Sequence, residues 1–82
     1  MAGKLATSLH FEFARPSWVE IRDGSGRVLI SQLNQPGSRE FEGQPPFALV
    51  IGNASHVALR YKGEAVPLSQ RSKEDVARIT LE

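Results

Sequence analysis

Cysteine is absent from all 82 residues, so neither a disulfide framework nor a thiolate metal site can support the fold, and cysteine usage says nothing about the redox compartment. An excess of charge of one sign is missing too. Ten basic and nine acidic residues leave a formal +1, distributed along the chain, which offers no electrostatic footprint for nucleic acid or an anionic bilayer. The longest apolar run, FALVI at 47–51, is far below the roughly 20 residues a membrane helix needs, and no secretory signal pattern precedes the first expected strand. Aromatic residues are few, with one Trp and one Tyr. No internal repeat or low-complexity tract occurs. A chain of this length supports one domain, burying about 60 to 65% of its unfolded surface. Residues 1–6, opening with MAGK, read as a start plus linker, and residues 7–82 as a single β domain.

What is present is alternation at period two, interrupted by Gly, Pro, Asn and Ser clusters. SLHFEF turns Leu9, Phe11 and Phe13 to one face and His10 and Glu12 to the other, and ends at Arg15-Pro16. SWVEIRDGSGRVLIS reads as a hairpin. With Gly24-Ser25 at its tip, Val19 meets Ile30 and Ile21 meets Val28, collecting four β-branched residues on one face. Lys62-Gly63 as a second two-residue turn pairs Leu59 with Val66 and Val57 with Leu68. Upstream, PPFALVIGNASHVALRY gives two strands around Gly52-Asn53, with Phe47, Leu49 and Ile51 facing Tyr61, Leu59 and Val57, so that three consecutive strands form a meander. Pro67 predicts an edge beside Val66. A weaker strand centres on Phe41, and VARITL turns Ala77, Ile79 and Leu81 inward. SQRSKED reads as a solvated loop with room for one helical turn capped by Ser72. Seven or eight short strands without long helices predict an all-β fold, a small antiparallel β-sandwich or partly open barrel.

Candidate chemistry is sparse. His10 and His56 lack a third metal ligand in any recognisable spacing, and Ser17, Ser55 and Ser69 lack a nucleophile-elbow setting. Glu40 and Glu42 share a strand face, where solubilising carboxylates are the ordinary reading. GSG precedes a strand, so its glycines serve a turn and form no dinucleotide fingerprint. NAS at 53–55 matches a glycosylation acceptor, of consequence only in a eukaryotic secretory setting. No catalytic residue, metal or cofactor is assigned.

Trp18 poses the sharper question, because it falls in step with Glu20 and Arg22 on the polar side of its strand. The Gly24-Ser25 register sets it opposite Ser31, with Leu29 and Leu33 on the diagonals. Trp18, Arg22, Leu29 and Leu33 are therefore the candidate interaction surface, with Glu20 and Arg27 at its border. Either another strand or a terminal segment covers this cluster, or it is an open patch where Trp and Arg anchor a partner.

Over nearly its whole length, from Leu9 to Leu81, the chain resembles the C-terminal extracytoplasmic domain of RodZ. The resemblance rests on Trp18, Val19, Ile21, Asp23 and Gly26, on Pro46, Phe47, Gly52, Asn53 and Ala54, on Tyr61 and Gly63, and on the closing Val76-Ala77-Arg78. Lys62 stands where Asn is frequent in the family, and Gly24 where Ala is common. The resemblance implies a periplasmic or extracytoplasmic module of a single-pass inner-membrane protein, attached through an upstream helix. In that family a cytoplasmic helix-turn-helix domain contacts the MreB filament, and the whole protein couples the filament to peptidoglycan elongation and cell shape. For this domain it implies no catalytic residue, no cofactor and no nucleic-acid partner, but proteins of the cell-wall elongation complex and peptidoglycan. Three other readings stand beside it: a glycan-binding module stacking sugars on Trp18 and Tyr61, a hydrolase using His56 or Glu40, and a folded cap with no specific partner.

Overall fold

The computed structural model of the chain describes residues 7–68 and 72–82; the expected linker, 1–6, and Ser69 lie outside the described residues. Among the described residues the strands are β1 (Thr7–Phe13), β2 (Ser17–Arg22), β3 (Val28–Asn34), β4 (Gly37–Gly43), β5 (Phe47–Gly52), β6 (Val57–Tyr61), β7 (Glu64–Val66), β8 (Ser72–Lys73) and β9 (Val76–Leu81), with a 3-10 turn at Ala54–His56. They form two open antiparallel sheets, in the orders β4-β1-β6-β7 and β3-β2-β5-β9-β8. The fold is the all-β sandwich expected, and it does not close into a barrel.

Alternation decides which side chains meet between the sheets. Leu9, Phe11 and Phe13 from β1 and Leu59 from β6 pack against Val19, Ile21, Leu49, Ile51, Ala77 and Ile79 from the other sheet, in one continuous buried cluster. Phe47 and Tyr61 meet edge to face across it, centroids 5.8 Å apart. Two buried polar residues close one end: Ser17 donates its hydroxyl to the Gly52 carbonyl, and the Asn34 amide donates to the carbonyls of Ser17 at 3.3 Å and Gln32 at 3.0 Å. Each buried hydrogen-bonding group thus has the partner that low-dielectric surroundings demand.

Several expected pairings are corrected. β5 and β6 are not sheet neighbours: β5 lies between β2 and β9, and β6 between β1 and β7. No meander forms, because the connection after Gly52 carries the chain from one layer to the other. Asn53 takes a left-handed conformation and donates its amide to the Pro16 carbonyl at 2.7 Å. Asp75 holds the same arch by accepting the Ser55 N–H at 2.7 Å and the Ser55 hydroxyl at 2.9 Å. Where a helical turn was expected after Ser72, Ser72–Lys73 pairs with β9, and Glu74 and Asp75, both at positive φ, make the tight turn between them. The Lys62-Gly63 hairpin is as expected, with Leu59 opposite Val66 and both turn residues at positive φ. β7 ends at Val66, so Leu68, although buried, is not a strand partner of Val57. Pro67 follows directly, and β7 is an edge of its sheet.

The β2–β3 hairpin departs from its expected register in an instructive way. Its loop has three residues between Asp23 and Arg27, whose N–H and C=O bond at 2.9 Å, and Gly26 takes the positive φ of 88° that closes such a loop. Arg22 therefore faces Val28. That shift alone would turn every later side chain to the wrong face. A bulge beside Leu29 adds a second one-residue shift, so Ile21 faces Ile30, Val19 faces Gln32 and Trp18 faces Leu33. The pairs differ from Val19–Ile30 and Ile21–Val28 by two residues, and parity is restored. Val28, caught between the two shifts, points outward and is 49% exposed, whereas Leu29 packs against the core.

Asp23 holds this loop. Its carboxylate accepts the Ser25 hydroxyl at 2.6 Å, the N–H groups of Ser25 at 3.0 Å and Arg27 at 3.1 Å, and that of Gln44 at 3.4 Å. The Ser25 hydroxyl bond first, then these backbone donors, hold the carboxyl below its ordinary value against the opposing push of burial. Gly24 donates its N–H to the Gln44 carbonyl at 2.6 Å, an approach so close that a Cβ here would lie 2.8 Å from the Pro45 carbonyl carbon and 2.9 Å from Pro46 Cδ.

Gly24→Ala should therefore cost about 1 to 3 kcal/mol in chemical denaturation through contact with Pro45 and Pro46, whereas at Gly26, which has open space around it, the cost of a substitution comes from its φ of 88°. Asp23→Asn should destabilise the chain at neutral pH. Since the folded carboxylate is the favoured form, its contribution is present above 3.8 and lost as the pH falls through the lower folded-state value. Thermal midpoints of the two proteins should accordingly converge in acid.

Candidate binding face

The register of β3, β2, β5 and β9 builds three cross-strand rows on the outside of the five-stranded sheet. The first runs Leu33, Trp18, Gly52, Val76; the second Ser31, Glu20, Val50, Arg78; the third Val28, Arg22, Ala48, Thr80. Each member is outward because its chain neighbour is inward: Val19, Ile21, Leu49, Ile51, Ala77 and Ile79 are the buried positions between them. Large apolar side chains are nevertheless open here. Trp18 is 44% and Leu33 52% exposed.

Trp18 lies across from Gly52, whose missing side chain leaves the indole room: a Cβ at Gly52 would come within 3.6 Å of Trp18 Cβ. The indole N–H donates to the Glu20 carboxylate at 2.8 Å, which fixes the ring's polar edge within the sheet face and leaves apolar ring surface exposed. Beyond Glu20 the face is hollow. A groove of 390 Å³ runs over Ala48, Val50 and Ser31, with Arg22 on one side and Arg78 on the other. The small residues Ala48 and Ser31 make the hollow; the longer Arg side chains make its walls.

Of the four candidate surface residues, Trp18, Arg22 and Leu33 share this outer face, and Leu29 does not. The bulge turns Leu29 inward, so close that a Cβ on Gly43 would lie 3.1 Å from its Cδ1. The contact that replaces the expected Trp18–Leu29 diagonal is the direct pair Trp18–Leu33. Among the described residues nothing covers Trp18 fully. Arg78, Val50 and Ala48 were not singled out from the sequence. Their alternation was visible, but which strands lie beside β2 was not.

The remaining candidates lie elsewhere. Tyr61 is 9% exposed, rests against Phe47, and donates its hydroxyl to the Glu82 carbonyl at 3.1 Å, so it offers no open ring to a sugar. His10 lies on the outer face of the other sheet, 3.2 Å from Glu12. That contact, together with the Ser38 hydroxyl at 2.9 Å, holds the Glu12 carboxyl below its ordinary value. His56 sits at the arch and uses its backbone, accepting the Ala14 N–H at 2.9 Å. Glu40 and Glu42 are exposed opposite His10 and Ser8. Ser17 and Ser55 direct their hydroxyls to the Gly52 carbonyl and the Asp75 carboxylate. Among the described residues, no three His, Cys, Asp or Glu side chains converge on a metal position, and no helix is long and apolar enough to cross a membrane.

Comparison with known proteins adds a family. The sequence profile described as the RodZ C-terminal domain matches residues 10–80, a span that runs from within β1 to within β9. No solved structure matches the chain.

As the single tryptophan, Trp18 reports on this face alone. Its fluorescence should be strongly quenched by acrylamide, and Trp18→Ala should cost about 1 kcal/mol or less in denaturant unfolding. Weak quenching, or a loss of several kcal/mol, would mean that the indole is part of the core.

Proposed function

This chain belongs to the RodZ C-terminal domain family, and on that premise we propose that it is a non-enzymatic interaction domain of a RodZ-like protein. In this reading it stands outside the cytoplasm beyond a membrane helix and helps couple MreB filaments to peptidoglycan elongation, and so to cell shape. Its partners are proteins of the elongation complex, which meet the outer face of the five-stranded sheet.

The observation that carries the reading is the exposed Trp18–Leu33 pair beside the groove. Burying half-exposed apolar groups against a partner releases about 25 cal/mol for each Å² removed from water, and Trp is enriched where binding energy concentrates. The Ser17 and Ser55 hydroxyls are held by the Gly52 carbonyl and the Asp75 carboxylate, and the His10 imidazole by Glu12. With Tyr61 in the core, sugar stacking would fall to Trp18 alone.

The test is made in the full-length protein in its own bacterium. Trp18→Ala combined with Leu33→Ser should leave protein abundance unchanged and widen or round the cells, towards the form of cells lacking the protein. Unchanged cell shape at normal abundance counts against this face. Chemical-shift changes around Trp18 on adding peptidoglycan fragments would favour the glycan reading instead.

A further inference from the structure

The groove beside Trp18 has a chemistry of its own. Arg22 from β2 and Arg78 from β9 flank a floor supplied by Ala48 and Val50 of β5. Two interstrand spacings, about 10 Å, separate the flanking strands, enough for one apolar side chain to lie along the floor between two guanidinium groups. Neither arginine has a carboxylate within 4.0 Å among the described residues. The Arg22 guanidinium makes one long contact, 3.5 Å to the Gly26 carbonyl. Glu20, the acidic residue that lines the groove, already accepts the Trp18 indole N–H. Two guanidinium groups thus border an apolar hollow with their fork-shaped donor edges unmatched, and planar carboxylates are the groups that match them best.

We propose that this groove takes an acidic, extended peptide segment of a partner protein. An apolar side chain of that segment rests on Ala48 and Val50, and its carboxylates pair with Arg22 and Arg78. The proposal rests on the reading of the chain as an interaction domain and names the partner's chemistry. A volume of 390 Å³ is in the range of a small-ligand pocket, so it admits a few side chains projected from a peptide. A basic segment would meet like charge at both walls, which is how the site would reject wrong partners.

The test is a titration of the isotope-labelled chain, followed by NMR, with a blocked pentapeptide alternating glutamate and leucine. Glutamine and lysine versions of the same peptide serve as controls. Saturable shifts at the amides of Arg22, Ala48, Val50 and Arg78, with Kd below about 1 mM, are expected for the glutamate peptide alone. The double variant Arg22→Gln, Arg78→Gln changes exposed residues and should keep its Trp18 emission while binding at least tenfold more weakly. Equal binding of the control peptides, absence of saturation, or shifts confined to β3 would each overturn the proposal. So would concentration-dependent shifts on this face without peptide, which would make a second copy the occupant. If the glutamate peptide fails while the Trp18 and Leu33 changes still alter cell shape, the acidic partner is excluded and the interaction reading stands. If both fail, both fall.

Discussion

The carboxylate of Asp23 is the contact on which the rest of the arrangement depends. It gathers the Ser25 hydroxyl and backbone N–H groups from Ser25, Arg27 and, across the sandwich edge, Gln44. That sets the β2–β3 loop at three residues, and the three-residue loop sets Arg22 against Val28. A strand has only two faces, so an odd shift in a hairpin must be undone or the apolar residues of one partner end in water. The bulge beside Leu29 undoes it. From this pair of shifts come the outward Val28, the inward Leu29 and the direct contact of Trp18 with Leu33. The same loop requires Gly24 to lie against Pro45, which ties the end of this hairpin to the segment that crosses from β4 to β5, and so one sheet to the other.

Much of this was legible in the sequence, in the sense that period-two alternation names the inward side of the central strands, though not of β3, where Val28 turns outward and Leu29 inward. β1, β2, β5 and β9 bury the residues that their patterns select. Alternation does not say whether two inward-facing strands are neighbours in one sheet or opposite each other across the core. Phe47 and Tyr61 do meet, as the pattern suggested, but through their ring edges across the sandwich. What separates the two cases is the connection. Gly52-Asn53 resembles a hairpin loop in composition, yet the left-handed Asn53, the 3-10 turn and the hold of Asp75 on Ser55 make it an arch between layers. The last of these contacts joins residues 20 positions apart, beyond the reach of local pattern.

The same limit explains the candidate face. Trp18, Arg22 and Leu33 are set out by the alternation of a single hairpin and were visible from it. Arg78 and Val50 became neighbours of that hairpin only through the order β3-β2-β5-β9, a non-local result. Leu29 was misplaced for a local reason: a bulge changes the face of one residue without disturbing the apolar content of the strand, and no residue type there announces it.

The two outer faces of the sandwich differ in kind, and that difference bears on how a partner would bind. On the four-stranded sheet, His10, Glu12 and Ser38 satisfy one another, leaving a polar surface with little to gain from contact. Three of the four sheet edges are poorly suited to accepting a strand. β3 carries its bulge, β8 has two residues, and β7 has three before Pro67. β4 carries Arg39, whose guanidinium bonds Asn34 at 3.3 Å and lies 5.4 Å from the centre of the Phe41 ring. The bulge and the two short strands disrupt or shorten the row of free backbone groups that strand addition needs, whereas β4 keeps seven residues in unbroken register. With three edges blunted and the other face polar, the outer face of the five-stranded sheet is where exposed apolar area and unmatched guanidinium groups coincide. Recognition by side chains on a rigid sheet, in place of backbone pairing at an edge, is what this distribution favours.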